Sequence, residues 1–238
     1  MTLKLGIVGC GGMGFRHMQG ISEVMRHSNI AKLEAICDIH EEAANHVADE
    51  AEKNNGYRPK IYTDFDSMIS ESGIDILDIV TDTKTHHAFA IKAMNKGISV
   101  LTEKPMGITL KACRKMKDVQ EKNNVKLAVA ENYRRDPMNR LVKALIDEGA
   151  IGDLQMVIDV SVSGGGYLMH GTGWRAKKSL AGSLILEQGV HTSDLILYFM
   201  GKAKTIYAKT GVLNPIRKTS GMLNEQLKKF YGHRVEDQ

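Results

Sequence analysis

The fold is decided close to the N-terminus, by the stretch Leu3-Lys4-Leu5-Gly6-Ile7-Val8-Gly9-Cys10-Gly11-Gly12-Met13-Gly14. Its first six residues form a short apolar run, which is typical of a buried parallel strand. The glycines permit a tight turn and close backbone approach, and residues 15–24 begin a helix. The free N–H groups and dipole of a helix start favour a bound diphosphate. The predicted dinucleotide-binding residues are Gly9, Gly11, Gly12, Met13 and Gly14.

An acidic residue follows at the expected place. A second apolar run, residues 33–37, ends at Asp38, which lies 24 positions after Gly14. Dinucleotide-binding units place their ribose-binding acid about 20 residues after the glycines. The glycine pattern alone is a weak signal, whereas strand, glycines, helix, strand and acid in this order are a stronger one. The alternative is a glycine loop that binds no ligand.

The bulk composition narrows the class of protein. Its 238 residues suit two modest domains, and 42% hydrophobic with 25% charged residues is ordinary for a globular protein. The net charge is +4 with scattered basic residues, so we expect no nucleic-acid partner. Three cysteines without metal-ligand spacing predict no metal site and suit a reducing cytosol. No apolar run approaches the roughly 18 residues of a membrane helix, so we expect a cytoplasmic protein without membrane association.

Apolar runs and amphipathic stretches alternate through the first half of the chain. They predict strands at 60–62, 74–81, 98–102 and 125–130, and helices at 40–54, 66–72, 86–96 and 109–123. This alternation favours an α/β fold with a doubly wound parallel sheet, in which ligands bind at the carboxyl ends of the strands. After residue 130 the pattern predicts helices at 138–148 and 183–200, strands at 154–163 and 204–210, and a glycine-rich loop at 164–173.

Two groups of residues could carry chemistry. Glu103, Lys104 and Pro105 follow a predicted strand, and Pro105 keeps Lys104 out of the helical region, so Lys104 can point into the cofactor crevice. The alternative is an ordinary surface lysine. In a continuous helix, Glu187 and Asp194 would lie four and three positions from His191 on the same face. A histidine beside carboxylates is a candidate general base, and the alternative, which the pattern alone slightly favours, is a capped or hydrogen-bonded core histidine.

Several further residues are weaker candidates. His86 and His87 either line the nicotinamide side of the crevice or form part of a helix N-terminus. His170 and Trp174 are pocket candidates in the glycine-rich region, although a lone tryptophan is more often a packing residue.

Taken together, the motifs resemble the glucose–fructose oxidoreductase/inositol dehydrogenase family, often called Gfo/Idh/MocA. The resemblance extends over nearly the whole chain and is carried by residues 6–14, Glu103-Lys104-Pro105, residues 131–135, Trp174-Arg175 and residues 182–194. It implies a Rossmann domain at residues 1–130. It also implies, at 131–238, a substrate and oligomerisation α/β domain with a large, mostly antiparallel open sheet. Members of the family are generally longer, so we expect that sheet to be truncated here.

The resemblance also implies roles for individual residues. Lys104 and His191 would be catalytic, Lys104 holding the reacting oxygen and His191 transferring the proton. Glu187 stands where the family commonly has Asp, and we include it with the catalytic residues. Asp38 matches the ribose-binding acid and favours NAD over NADP, because a carboxylate repels the additional phosphate. The remaining implied residues are Thr81, His87, Glu103, Lys104 and Asn132 for the cofactor, and Lys104, Trp174, Arg175 and His191 for the substrate pocket.

The activity implied by the resemblance is hydride transfer between NAD and a sugar, cyclitol or related polyol or keto compound. Two alternatives use the same residues: an NAD-dependent glycosidase, and a catalytically silent dinucleotide-binding protein. The segment Thr81-Asp82-Thr83-Lys84 departs from the family in lacking the proline that usually follows the threonine. By analogy with the family, the full-length protein is expected to be a homodimer or homotetramer.

Overall fold

A computed structural model of the chain describes residues 2–161 and 173–211. The chain forms two compact units, Met1–Ala130 and Glu131–Gln238. His170 and all of the predicted glycine-rich loop except Gly173 lie outside the described residues.

The first unit is a six-stranded sheet flanked by helices. Its strands are β1 (Leu3–Val8), β2 (Ala31–Cys37), β3 (Lys60–Tyr62), β4 (Ile76–Ile79), β5 (Ser99–Glu103) and β6 (Leu127–Ala130). Its helices are α1 (Gly12–His27), α2 (Glu41–Asn55), α3 (Phe65–Glu71), α4 (Thr83–Asn95) and α5 (Leu110–Asn123). Every pairing is parallel, in the order β3-β2-β1-β4-β5-β6. This order confirms the predicted doubly wound sheet, with its reversal between β1 and β4.

Helices cover both faces of the sheet, and successive strand residues point to opposite faces. On one face, Ile7 of β1 packs with Met18 of α1 and Val47 of α2. On the other, Val8 belongs to a cluster that includes Met94 of α4 and Met116 of α5. The near-continuous apolar composition of β1 therefore reflects helices on both sides of the strand.

The first helix starts unusually close to the end of β1. Gly9 has φ of +97°, a backbone conformation that favours glycine. A Cβ atom added to Gly14 would lie 1.9 Å from the carbonyl oxygen of Gly9. Only a residue without a side chain lets the first turn of α1 pack directly on the turn that precedes it.

In the second unit, the regular secondary structure among the described residues is helical. A 3-10 turn (Asn132–Arg135) leads into α6 (Pro137–Asp147), followed by three short helices and a longer one: α7 (Gly173–Ala176), α8 (Lys178–Ala181), α9 (Leu184–Glu187) and α10 (Gly189–Met200). The single helix predicted at 183–200 is wrong, since the chain turns at Gln188 between α9 and α10. Gly189, a poor helix former, lies at this break.

The two strands predicted for the second unit are also not formed in its described part. Residues 154–161 and 204–210 have no strand pairing there. The alternation seen in the sequence is real, but Met156, Ile158 and Val160 are all exposed. A strand needs a hydrogen-bonded neighbour, and no other strand is present among the described residues of this unit. None of the helices within 2–161 and 173–211 has both the length and the apolarity to cross a bilayer.

The packing of α1 predicts opposite effects for two substitutions in the same helix. Gly14→Ala should lower the free energy of unfolding by about 2 kcal/mol or more, because its methyl group must displace backbone. Gly20→Ala is the matched control, since nothing lies within 4 Å of its added Cβ and alanine favours the helix by up to about 1 kcal/mol. Urea unfolding of both variants measures the difference. Equal stabilities would contradict the close approach.

Candidate functional site

The turn between β1 and α1 has the shape that a dinucleotide diphosphate requires. Gly11 caps α1 without a side-chain hydrogen bond. A Cβ atom at Gly9 would lie 2.6 Å from the carbonyl oxygen of Val80, so this part of the turn also excludes side chains. The backbone N–H groups of the first helical turn are therefore not covered by side chains from the turn. Such a helix start is suited to an anionic ligand, and its residues fit the diphosphate of NAD.

Asp38 lies beside this turn with its carboxylate held in place. One oxygen accepts the backbone N–H of Cys10 at 2.7 Å, and the other accepts the N–H of His40 at 2.9 Å. These bonds join the end of β2 to the glycine turn and orient the carboxylate. A fixed carboxylate at this position is suited to binding the ribose hydroxyls of NAD.

The next predicted residues lie at the carboxyl ends of β4 and β5. The Thr81 hydroxyl is 2.7 Å from that of Thr85. The buried ring of His86 lies 3.1 Å from the Thr81 carbonyl and 3.0 Å from the Pro105 carbonyl. Burial lowers the pKa of His86, against the effect of the two carbonyls, and the ring lies between the two strand ends. His87 is half-buried on α4.

A part-buried charge cluster that sequence reasoning missed contacts the backbone of Lys104. His17 of α1 contacts Asp78 of β4 through Nδ1 at 2.8 Å and Glu103 of β5 through Nε2 at 3.1 Å. The second Glu103 oxygen accepts the backbone N–H of Lys104 at 2.9 Å. We call His17, Asp78 and Glu103 the His17 cluster.

Strand register explains how these side chains meet. Asp78 pairs with Leu101 in the β4–β5 ladder, and Glu103 follows Leu101 by two residues on the same face. Leu77 and Ile79 pack into the core on the opposite face, so Asp78 points to the α1 side. The signal was present in the sequence, because a carboxylate inside the apolar run Ile76-Leu77-Asp78-Ile79 needs a charged or hydrogen-bonded partner.

The cluster keeps His17 charged. Burial would lower the pKa of His17, but the hydrogen bonds and charges of Asp78 and Glu103 outweigh it and raise the pKa to about 10. Burial likewise acts to raise the pKa of Glu103, and His17 and Lys104 together hold it below its ordinary value. At neutral pH an imidazolium therefore lies between two carboxylates.

This charge predicts how stability depends on pH. The pKa of His17 is raised on folding, so its stabilisation is complete below about pH 6.5 and is lost as pH rises through about 10. Between pH 7 and 10, the group contributes a decrease of up to about 1.4 kcal/mol per pH unit in the free energy of unfolding. Urea unfolding across this range should show that component in the wild-type protein and not in His17→Phe. Parallel curves would refute the assignment.

The second unit holds its own histidine–carboxylate pair. Nδ1 of His191 on α10 lies 2.7 Å from a carboxylate oxygen of Glu131, and both side chains are largely buried. The Tyr133 ring stacks on the His191 ring with centroids 4.3 Å apart. With Nδ1–H donating to Glu131, the lone pair of the ring is on Nε2. This arrangement is typical of a histidine that accepts a proton.

The carboxylate that hydrogen-bonds to His191 is therefore Glu131 and not Glu187 or Asp194, the two that helical spacing predicted. Asp194 binds Arg134 through two hydrogen bonds of 2.5 and 2.9 Å. A Glu187 oxygen accepts from Nε of Arg175 at 3.2 Å, and the Arg175 guanidinium lies over the Trp174 ring. Glu131 directly follows β6, and an acid at a strand's carboxyl end was the signal that could have identified it.

The cofactor and substrate roles that the resemblance implies for individual residues stay predictions. Asn132 begins the 3-10 turn, where its carbonyl accepts the Asp136 N–H, and its cofactor role stays a prediction. Among the residues described, no three His, Cys, Asp or Glu side chains are grouped as a metal ion would require.

Comparison with known proteins identifies homologues of both units. A family model described as an oxidoreductase family with an NAD-binding Rossmann fold matches residues 3–131. A model of the GFO/IDH/MocA C-terminal domain matches residues 139–237. Levoglucosan dehydrogenase of Pseudarthrobacter phenanthrenivorans is 30% identical over 224 residues, which cover 91% of this chain and 56% of the relative.

Solved structures of dehydrogenases also superpose on this chain. Scyllo-inositol dehydrogenase from Lactobacillus casei, with bound NAD(H) and scyllo-inositol, superposes with a TM-score of 0.69 at 27% identity, covering 84% of this chain and 56% of that one. The WlbA dehydrogenase from Bordetella pertussis, in complex with NADH and UDP-GlcNAcA, gives a TM-score of 0.75 at 26% identity, covering 90% and 63%. The chain spans about half the length of the curated relatives that it matches. The two matched domains and the Rossmann sheet establish that this chain belongs to the Gfo/Idh/MocA oxidoreductase family.

Proposed function

We propose that this protein is an NAD-dependent dehydrogenase that oxidises a hydroxyl group of a sugar or cyclitol, or reduces the corresponding ketone. The observation that carries the proposal is the side-chain-free turn at Gly9 and Gly14 with Asp38 held beside it, in a chain of this family. Relatives named as levoglucosan, inositol and D-apiose dehydrogenases support the substrate class.

In this proposal the two units divide the work. Residues 1–130 bind NAD and residues 131–238 bind the substrate, with Trp174 and Arg175 in its pocket. Bound NAD supplies the hydride acceptor. The protein works in the cytoplasm and assembles as a homo-oligomer, in keeping with cysteines that form no disulfide and with the family.

His191 is the proposed proton acceptor. Its Nε2 takes the proton of the substrate hydroxyl, which gives an imidazolium whose Nδ1–H already donates to Glu131. The Glu131 carboxylate stabilises that charge and keeps the lone pair on Nε2, the role that a carboxylate has in other histidine-based sites. Glu187, bound to Arg175, is proposed to orient the pocket.

Lys104 is the proposed electrostatic group. It directly follows β5, at the carboxyl edge of the sheet where ligands of this fold bind. Its ammonium stabilises the negative charge that develops on the substrate oxygen when the proton leaves.

Replacement of Lys104 tests this role. Lys104→Ala should lower kcat by more than about a hundredfold, the range for a lost electrostatic or acid–base group, while NADH still binds. Lys111→Ala, at an exposed position on α5, is the matched control. NADH fluorescence with a panel of sugars, cyclitols and their keto forms provides the assay. Unchanged turnover in Lys104→Ala would remove this residue from the mechanism.

The same panel separates the alternatives. Failure of the folded protein to bind any pyridine nucleotide would refute the proposal. Binding without reduction of NAD by any compound would indicate a silent dinucleotide-binding protein. Co-purified NAD that does not exchange, together with cleavage of a glycoside, would indicate the NAD-dependent glycosidase.

Glu131 is tested separately. Glu131→Gln keeps the shape of the side chain but loses its charge, so kcat should fall by about 10- to 1,000-fold with little change in the substrate KM. Glu148→Gln, an exposed carboxylate at the end of α6, should leave kcat unchanged. Wild-type turnover in Glu131→Gln would show that His191 does not depend on this carboxylate.

A further inference from the structure

The His17 cluster is a part-buried group of three ionisable side chains that hydrogen-bonds to the backbone of Lys104. The His17 side chain is 15% exposed, and those of Asp78 and Glu103 are 3% and 13% exposed. The mechanism proposed above uses neither His17 nor Asp78, so their burial needs a separate explanation.

The contacts form one continuous chain from α1 to the Glu-Lys-Pro turn. His17 donates from Nε2 to one Glu103 oxygen, and the other Glu103 oxygen accepts the Lys104 N–H. On its other side, His17 donates from Nδ1 to Asp78 in the middle of β4. A single ring therefore joins the glycine-turn helix, the central strand β4 and the end of β5.

We propose that His17 is a positioning residue: held by Asp78, its ring fixes the Glu103 carboxylate, and Glu103 fixes the backbone at Lys104 and so the direction of the Lys104 side chain. The catalytic consequence rests on the proposed function, whereas the contact between His17 and the Lys104 backbone does not.

Electrostatics favours this role over simple space filling. The groups that face the cluster are Asp78 from β4, Glu103 and Lys104 from the end of β5, and His86 from α4. An apolar residue at position 17 would remove the cation that lies between two neighbouring, largely buried carboxylates, which is costly. As an imidazolium, His17 donates from both nitrogens at once, and it keeps that charge at neutral pH because its pKa is about 10.

Small displacements at Lys104 have large effects on rate. A misplacement of about 1 Å at a reacting group costs on the order of a hundredfold in turnover. A carboxylate held on both oxygens restrains the Lys104 N–H far more than one exposed to solvent. Release of Glu103 from His17 therefore affects kcat more than it affects affinity for NAD.

Two amide substitutions distinguish the two hydrogen bonds of the His17 ring, one to Asp78 and one to Glu103. His17→Gln places a donor near the position of ring Nε2 and keeps the contact to Glu103. His17→Asn places one near ring Nδ1 and keeps only the contact to Asp78. Exchange of the Lys104 backbone amide, followed by NMR, reports the restraint without any substrate. His27→Asn, at the exposed end of the same helix where His27 pairs with Glu23, is the control.

We expect Lys104 amide protection to fall at least about tenfold in His17→Asn and to stay near wild type in His17→Gln and His27→Asn. Amides within the β4–β5 ladder should keep their protection in all three. Where the dehydrogenase assay is active, kcat should follow the same order with little change in the Kd for NADH. Equal Lys104 protection in the Asn and Gln variants would overturn the proposal, even if the chain proves to be no dehydrogenase.

A measurement on the wild-type protein covers variants that fail to fold. The ¹³Cε1 resonance of His17 and the ¹³Cδ resonance of Glu103 should shift together as pH rises through about 10, because the His17 ring is hydrogen-bonded directly to the Glu103 carboxylate. A Glu103 carboxyl that does not respond to the titration of His17 would refute the coupling.

Discussion

The close approach of α1 to the end of β1 positions two features of the first unit, the N–H groups of the first helical turn and the His17 side chain. The backbone at Gly14 packs against the carbonyl oxygen of Gly9, where no side chain fits. That contact sets where the first helical turn presents its N–H groups. It also fixes the helix against the sheet, so that His17, one turn later, faces β4 and β5. A wider turn would move the helix N–H groups and His17 away from the strand ends.

Sequence periodicity predicted the first unit well because each of its elements is defined locally. All six strands occur in the predicted order, and the errors are at the boundaries. The strand predicted at 74–81 is shortened to Ile76–Ile79. The helix predicted to begin at His86 begins at Thr83, because the Asp82 side chain caps it by accepting the Thr85 N–H. Helix α1 begins at Gly12 and not at Phe15, since glycine can occupy a first turn.

The candidate proton-transfer pair was harder to predict, because it joins residues 60 positions apart. Helical spacing relates His191 only to neighbours three or four positions away, and it drew attention to Glu187 and Asp194. Both of these carboxylates bind arginines from other elements, Arg175 and Arg134. Local periodicity contains no information on which charged residue, distant in sequence, contacts a given side chain in the folded chain. The strands predicted at 154–163 and 204–210 are not formed among the described residues for a related reason, since strand pairing depends on a partner elsewhere in the chain.

The two histidine sites differ in the number of carboxylates, and that number separates their chemistry. His17 donates from both ring nitrogens to Asp78 and Glu103, so the pair of negative charges holds its proton up to about pH 10. A ring that cannot release a proton near neutral pH is a poor acid or base, but it is a stable cation around which carboxylates can be fixed. Among the described residues, His191 hydrogen-bonds to one carboxylate, Glu131, on Nδ1. That contact orients the ring from one nitrogen only, so of these two histidines His191 has the arrangement that the proposed general base catalysis requires.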